Sequence, residues 1–234
     1  MAKGLRTIGI ILALLGVGFV VAGGVAFAQV SDGYDSLESF SGAQNVTLSY
    51  NEEGQLIDRG TTEGAEAIMD LLVKDWAYPV VESDLDPNDP LVNTATEYMF
   101  QMATISYHIL TSTQPVVLAE DVEYNGEVFP AGTYDFEVDG RYWTGFDREH
   151  PVEGPARTQA WTPTAFGHIA QLAIGTVTAS TLQMGLALSG LFAGVGFFAL
   201  ITGLGLVWAA SKDEMFNIKR LVAEMERKEA ASIG

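Results

Sequence analysis

The two longest stretches of this chain without Asp, Glu, Lys or Arg are Thr7 to Ser31 and Thr158 to Ser211. In the first, residues 8–28 are almost all apolar. At about 1.5 Å per residue such a run covers the roughly 30 Å hydrocarbon core of a bilayer. In the second, Leu182 to Trp208 is free of charge, Trp208 stands where an interfacial aromatic belongs, and Lys212 follows. A fixed charge at the bilayer centre costs about 2.5–3.5 kcal/mol on insertion scales, so both runs are expected to be transmembrane helices. The first also has features of a secretory signal: Lys3 and Arg6 precede it, and Ala26-Phe27-Ala28 before Gln29 has the form of a cleavage site. Its apolar run exceeds the usual length of about 7–15 residues, so retention is the expectation.

Between the runs the pattern changes. Residues 31–43 are Ser- and Gly-rich and read as a linker or stalk. Gln44 to Tyr50 alternates like a strand, and Asn51-Glu52-Glu53-Gly54 turns the chain. Thr62 is placed to cap a helix reaching about Trp76. Asp89-Pro90 reads as the cap and first residue of a further helix over about 91–110, with Val92, Ala95, Met99, Met102 and Ile109 forming one core-facing stripe. From Val116 to Trp143 the period switches to two. Asn125-Gly126 and Asp139-Gly140 are hairpin dipeptides, predicting a small antiparallel meander through Val128-Phe129, Thr133 to Val138 and Arg141 to Trp143. The middle of the chain is therefore expected to be an α+β domain.

Thr162-Pro163 begins another helix, and no residue stops it before the membrane. Phe166, Ile169, Ala173 and Val177 recur at helical spacing. Past Lys212, Met215, Ile218, Val222 and Met225 keep a 3-4-3 rhythm, carrying the prediction to about residue 228. The fold expected is membrane α-helical, with two spans, an extracytoplasmic α+β domain, and one long C-terminal helix running from that domain through the bilayer into the cytoplasm. The corresponding segments are 1–7 (cytoplasmic N-terminus), 8–29 (first span), 30–181 (acidic outer domain), 182–210 (second span) and 211–234 (cytoplasmic amphipathic tail).

Charge fixes the expected orientation. Of 234 residues, 30 are acidic and 12 basic, a formal net charge of −18. Residues 32–157 hold 25 of the acids but five bases, Arg59, Lys74, Arg141, Arg148 and Arg157. Lys3 and Arg6 precede the first span, whereas Lys212, Lys219, Arg220, Arg227 and Lys228 follow the second. The positive-inside rule puts both termini in the cytoplasm of a plasma-membrane protein and residues 30–181 outside. Nucleic acid is an excluded partner for so acidic a domain, because phosphate binding depends on Lys and Arg. Such a surface also suits salty surroundings, and by itself it names no ligand.

Candidate chemistry is sparse. There is no cysteine, which excludes thiol catalysis, thiolate metal sites and disulfides. Asp84, Asp86 and Asn88 alternate like the start of a calcium loop, but Asp89 stands where glycine belongs and Ala95 where a bidentate Glu belongs. Asp84, Asp86, Asn88 and Asp89 are thus a weak calcium candidate beside the plainer reading of a helix-capping loop; no other cofactor is expected. His108, His150 and His168 lack the spacing of a zinc helix or facial triad. Asn45-Val46-Thr47 is a glycosylation sequon. The spans offer small residues instead: Gly9, Ala13, Gly16 and Gly23 in the first, and Gly185, Ser189, Ala193, Gly190 and Gly194 in the second. Such faces allow close backbone approach in lipid, either between the two spans or between copies. Neither span carries an ionisable group for an ion pathway.

Pro130-Ala131-Gly132-Thr133-Tyr134, Asp139-Gly140-Arg141-Tyr142-Trp143 and the run Glu153-Gly154-Pro155-Ala156-Arg157-Thr158-Gln159-Ala160-Trp161 carry a resemblance. With the basic start and Gly-rich spans, the chain resembles a family of uncharacterised actinobacterial membrane proteins with two transmembrane helices. Some similar proteins bear an aromatic ring-opening dioxygenase label. That chemistry needs a clustered iron site, which the scattered histidines do not supply.

The function expected is a non-enzymatic membrane scaffold or accessory subunit. It would oligomerise through its Gly-rich helices, as a homo-oligomer or within a larger complex, with lipid around it. Two alternatives are a ligand- or cation-sensing outer domain coupled to the tail, and an extracytoplasmic metal-dependent enzyme.

Overall fold

A computed structural model describes residues 2–232 and groups them into two compact units. One joins the segment up to Asp35 with that from Leu182 onward; the other is Ser36–Thr181. Met1, Ile233 and Gly234, the outermost residues of the expected terminal segments, lie outside the described residues.

Helix α1 runs Ala2–Gln44 and helix α5 runs Pro163–Ser232. Among the described residues these two helices are long and apolar enough to cross a membrane, and only 11% of each apolar window is buried. That distinguishes them from core helices of a soluble protein. Ile11, Leu14, Val21, Leu191, Phe198 and Ile201 all stand exposed. Apolar faces of this extent are stable only in contact with lipid or with another protein surface.

Helix α1 overturns the expected linker at residues 31–43. The Ser/Gly-rich segment stays helical because its Leu37 and Ser41 are buried, four residues apart on one face, and Ser41 Oγ lies 2.7 Å from Tyr98 OH. Packing here outweighs weak intrinsic propensity. Asn45 then ends α1 in the left-handed conformation (φ 53°), its N–H donating to Ser41 O. The strand expected over Gln44 to Tyr50 reduces to single bridges, Thr47 with Leu91 and Tyr50 with Leu56, the latter across the expected turn.

In the Ser36–Thr181 unit, helix α2 (Thr62–Asp70) is capped by Thr61, whose Oγ1 accepts from Gly64 N, one residue before the expected cap. A π-helical turn, Leu71–Asp75, completes it. Helix α3 (Ala95–Leu110) starts at Thr94 rather than at Asp89-Pro90. Two causes account for the shift. The backbone around Leu91 is engaged with the segment after α1, through Leu48 N to Pro90 O and Val92 N to Val46 O. Thr94 and Glu97 also form a reciprocal capping box.

The β region holds two two-stranded antiparallel sheets rather than one meander. Strand β1 (Thr113–Leu118) pairs with β4 (Gly132–Glu137), and β2 (Val122–Tyr124) pairs with β3 (Glu127–Phe129). Asn125 and Gly126 (φ 51° and 84°) make the expected hairpin turn. Asp139 and Gly140 also have positive φ, but Arg141 to Trp143 is not a strand. Gly140 N donates to Leu110 O and Val138 N to Ser112 O, so this turn ties β4 back to the end of α3. An unforeseen helix, α4 (Glu153–Ala160), packs Val152 and Ala156 on Val116 of β1. Helix α5 starts as expected, with Thr162 Oγ1 accepting from Ala165 N.

Candidate functional site

The first feature with functional content lies between α1 and α5, within the unit that joins their membrane-length parts. Gly9, Gly16 and Gly23 are buried at intervals of seven residues, and so are Ser189, Gly196, Gly203 and Ala210. The two series face each other antiparallel. A Cβ on Gly9 would lie 2.7 Å from Gly203 O; on Gly16, 2.5 Å from Leu200 N and 2.6 Å from Gly196 O; on Gly23, 2.8 Å from Ala193 N and 2.9 Å from Ser189 O. A Cβ on Gly203 would sit 2.5 Å from Ala13 N, and one on Gly185 2.7 Å from Val30 Cγ2. At Gly9, Gly16, Gly23 and Gly203 the backbones therefore approach too closely for any side chain, whereas at Gly185 the neighbour is the Val30 side chain. Because α-helices have 3.6 residues per turn, a strict seven-residue repeat imposes a left-handed wrap on the pair. In a bilayer, where no hydrophobic force drives helices together, small residues of this kind supply attraction through close packing.

Of the positions singled out from sequence, Gly9, Ala13, Gly16, Gly23, Gly185, Ser189 and Ala193 belong to this seam. Gly190 and Gly194 do not: nothing lies within 4 Å of a Cβ placed on either. Gly196 and Gly203, the main partners of α1, were not foreseen. The signal is the seven-residue recurrence of small residues, which the four-residue spacing of Gly185, Ser189 and Ala193 and of Gly190 and Gly194 does not reveal.

The second feature is a cleft of ≈ 400 Å³ in the Ser36–Thr181 unit, lined by aromatic rings, Met99 and Met102. Trp76 arrives from the end of the π-turn, Tyr142 and Trp161 from either side of α4, and Phe166 and Ile169 from the first turns of α5. Trp76 Nε1 donates to Tyr142 OH at 2.7 Å, and Trp161 Nε1 donates to Arg141 O at 3.1 Å. Tyr142 and Trp161 stack at 5.8 Å, and Trp161 and Phe166 at 5.7 Å. The indole donors are thus satisfied within the protein and the rings present apolar faces. Met99 and Met102, expected in the core, are half-buried and form the floor, while Val92, Ala95 and Ile109 are buried.

Two arginines from the segments that carry the family resemblance have structural roles. Arg141 Nη1 donates to Glu153 Oε1 at 2.6 Å, and its other nitrogens donate to Val138 O and Glu137 O. Arg157 is buried, its guanidinium over the Trp143 ring and its Nε donating to Trp143 O at 2.9 Å. Two of the five basic side chains of the acidic segment are therefore internal struts.

The histidines are separated. His108 Nε2 lies 3.0 Å from Asp58 Oδ1. His150 Nδ1, two residues before the N-cap Val152, accepts from Val152 N and Glu153 N and so closes off the start of α4, and Phe129 and Tyr124 pack on its ring. His168 lines a second cleft of ≈ 410 Å³ among Gln44, Gln101 and Gln171, not among acids. In the calcium-like loop, Asp86 Oδ1 accepts from both the backbone and the side chain of Asn88. Asp84 closes the short 3-10 turn Glu82–Asp84, with Oδ2 buried and no hydrogen-bond partner. Asp89 N donates to Asp86 O, and Asn88 and Asp89 stand exposed. Among the described residues no group of three or more His, Asp or Glu is placed to hold a metal ion.

Electrostatic stress collects around the start of α3. Glu97 is buried and its carboxyl is pushed above the usual range by burial, although Asn93 N, Thr94 N and Thr94 Oγ1 all donate to Oε2. Tyr50, whose buried hydroxyl has no hydrogen-bond partner, is pushed up to about 12, first by burial and then by the charges of Glu97 and Asp86. Compared with protein-family models, curated proteins and solved structures, the chain matches none.

Proposed function

We propose that this protein is a non-enzymatic plasma-membrane scaffold or accessory subunit. In this reading α1 and α5 cross the bilayer, both termini are cytoplasmic, and the acidic domain is presented outside to protein partners. The supporting observation is the glycine seam. Two helices whose backbones touch at Gly9, Gly16 and Gly23, while their large apolar side chains point outward, are built to hold together in lipid. The organisation is similar to that of the actinobacterial two-span family. The non-enzymatic reading draws on the structural engagement of the reactive side chains: His150 closes off the start of α4, His108 faces Asp58, and Arg141 and Arg157 brace the fold. Purification of the tagged protein from its own membranes in mild detergent tests the proposal. A stable assembly with stoichiometric partners or further copies is expected; a lone monomer counts against it.

The cleft favours a second reading, an outer domain that binds a small apolar ligand. Its rings and methionines suit a flat hydrophobic molecule. Saturable quenching of Trp76 and Trp161 fluorescence by a neutral naphthalene probe, abolished by Met102→Trp, is the expected result. Quenching that rises linearly without saturation excludes this reading.

A further inference from the structure

We infer that two copies of this chain pair in parallel along a continuous face of α5, from the glycines at 190 and 194 to the apolar tail ending at Met225. This rests on the membrane-spanning reading above and adds the interface and the partner.

The tail carries the argument. Met215, Ile218, Val222 and Met225 recur at intervals of three and four residues, and they are exposed by 55%, 61%, 42% and 62%. They follow Lys212 and Asp213, so on this reading they stand in water rather than in lipid. Helix α1 cannot cover them. The α5 series that faces α1 runs through Gly196, Gly203 and Ala210, and seven residues further it reaches Asn217 and then Glu224. The side turned toward α1 thus becomes polar where α1 ends, and the apolar side of the tail is a different one.

Traced back in the same three-four rhythm, that side meets Ser211, Trp208, Leu204 and Ile201, then Phe197, Gly194 and Gly190. Each of these is exposed in the single chain. The face is therefore unbroken from inside the membrane-length segment to the tail, with open space over both glycines. A sustained heptad seam of this kind specifies a parallel coiled coil when identical helices enter from the same side of a membrane. Flanking charge agrees with self-pairing. With Met215 and Val222 at one core position and Ile218 and Met225 at the other, Glu214 and Lys219 occupy the positions that form ion pairs between parallel chains, and Glu214, whose carboxylate lies 3.9 Å from Arg6 of its own chain, would exchange or share that contact. A tail lying flat on the membrane would require a break in α5, which runs uninterrupted to Ser232.

The chain has no cysteine, so single cysteines report this interface cleanly. Full-length variants Met215→Cys, Ile218→Cys, Val222→Cys and Met225→Cys in isolated membranes, treated with a mild oxidant, are expected to give disulfide-linked dimers. Asn217→Cys and Arg220→Cys are expected to lose the dimer band. Adding Gly194→Ile to Val222→Cys should lose it too, with monomer unfolding unchanged, since that site has room for a side chain in the single chain. No dimer at any position, equal dimer at all six, or maxima at Asn217 and Arg220 would each overturn the inference. So would cross-linking of the tail to a different protein only. Loss of the whole chain from alkaline-washed membranes would instead remove the membrane reading beneath it.

Discussion

Gly16 and Gly196 meet backbone to backbone: a Cβ on Gly16 would stand 2.6 Å from the carbonyl oxygen of Gly196, and a Cβ on Gly196 would stand 2.7 Å from that of Gly16. The relationship is reciprocal, and it repeats one heptad away, where Gly9 meets Gly203. Gly18, two residues along the same helix, has open space where its side chain would be.

That contrast gives the first prediction. Gly16→Leu and Gly196→Leu should each destabilise the helix pair by about 1–3 kcal/mol, the usual cost of overpacking a tight interface. Gly18→Leu should change little. Thermal unfolding in detergent, followed by circular dichroism, makes the comparison; equal effects at 16 and 18 would remove the seam from the account.

Glu97 gives the second. Glu97→Ala orphans the N–H groups of Asn93 and Thr94 and should cost about 1–3 kcal/mol, whereas Glu97→Gln retains an acceptor and should cost less. The sign of the pH effect follows from the upward shift of the folded-state carboxyl. The folded protein holds this proton more tightly than the unfolded chain does. The resulting stabilisation is therefore complete below the ordinary Glu range and is lost as pH rises through the raised value. Unfolding measured from about pH 4 to about pH 8 should show wild type losing ground to Glu97→Gln as pH rises. A constant difference would contradict the assignment.

Tyr50 offers a case where removing an atom helps. Its buried hydroxyl lacks a partner, so Tyr50→Phe should be neutral or stabilising, by up to about 1–3 kcal/mol. A clear loss of stability in denaturant titration would mean that the hydroxyl is satisfied in solution.

His150 closes off the start of α4 through Nδ1, so His150→Ala should cost about 0.5–2 kcal/mol, in line with loss of side-chain caps. Hydrogen exchange should localise the change to residues 152–160. Uniform loss of protection across the domain would speak for a wider role.

These cases also show what was legible in the sequence. The membrane-length helices were, because a run that is both uncharged and almost continuously apolar over such a length has few other causes; Tyr98 to Ala119 is also uncharged, but Gln, Thr, Ser and His interrupt it. The Thr162 cap and the Asn125-Gly126 turn were legible because their chemistry is local. Helix α4 was hidden: Gly154 and Pro155 sit inside it, its N-cap is Val152, and its first N–H groups are taken by the His150 side chain rather than by a Ser, Thr, Asp or Asn cap. The helical course of residues 31–43 was hidden because it depends on burial of Leu37 and Ser41, and the latter meets Tyr98 fifty-seven residues away. The cleft was invisible for the same reason, since Trp76, Met99, Tyr142 and Trp161 come from separate segments. Gly9, Gly16 and Gly23 stand out in the sequence as small residues along one side of α1, whereas Gly196 and Gly203 emerge only when small residues are counted by sevens.

Topology is the claim on which the rest stands, and impermeant-maleimide labelling of single cysteines in intact cells tests it most directly. Glu66→Cys, exposed in the acidic domain, should label without permeabilisation, whereas Lys219→Cys in the tail should label only after the membrane is opened. Labelling of Lys219→Cys in intact cells, or protection of Glu66→Cys, would contradict the two-span arrangement.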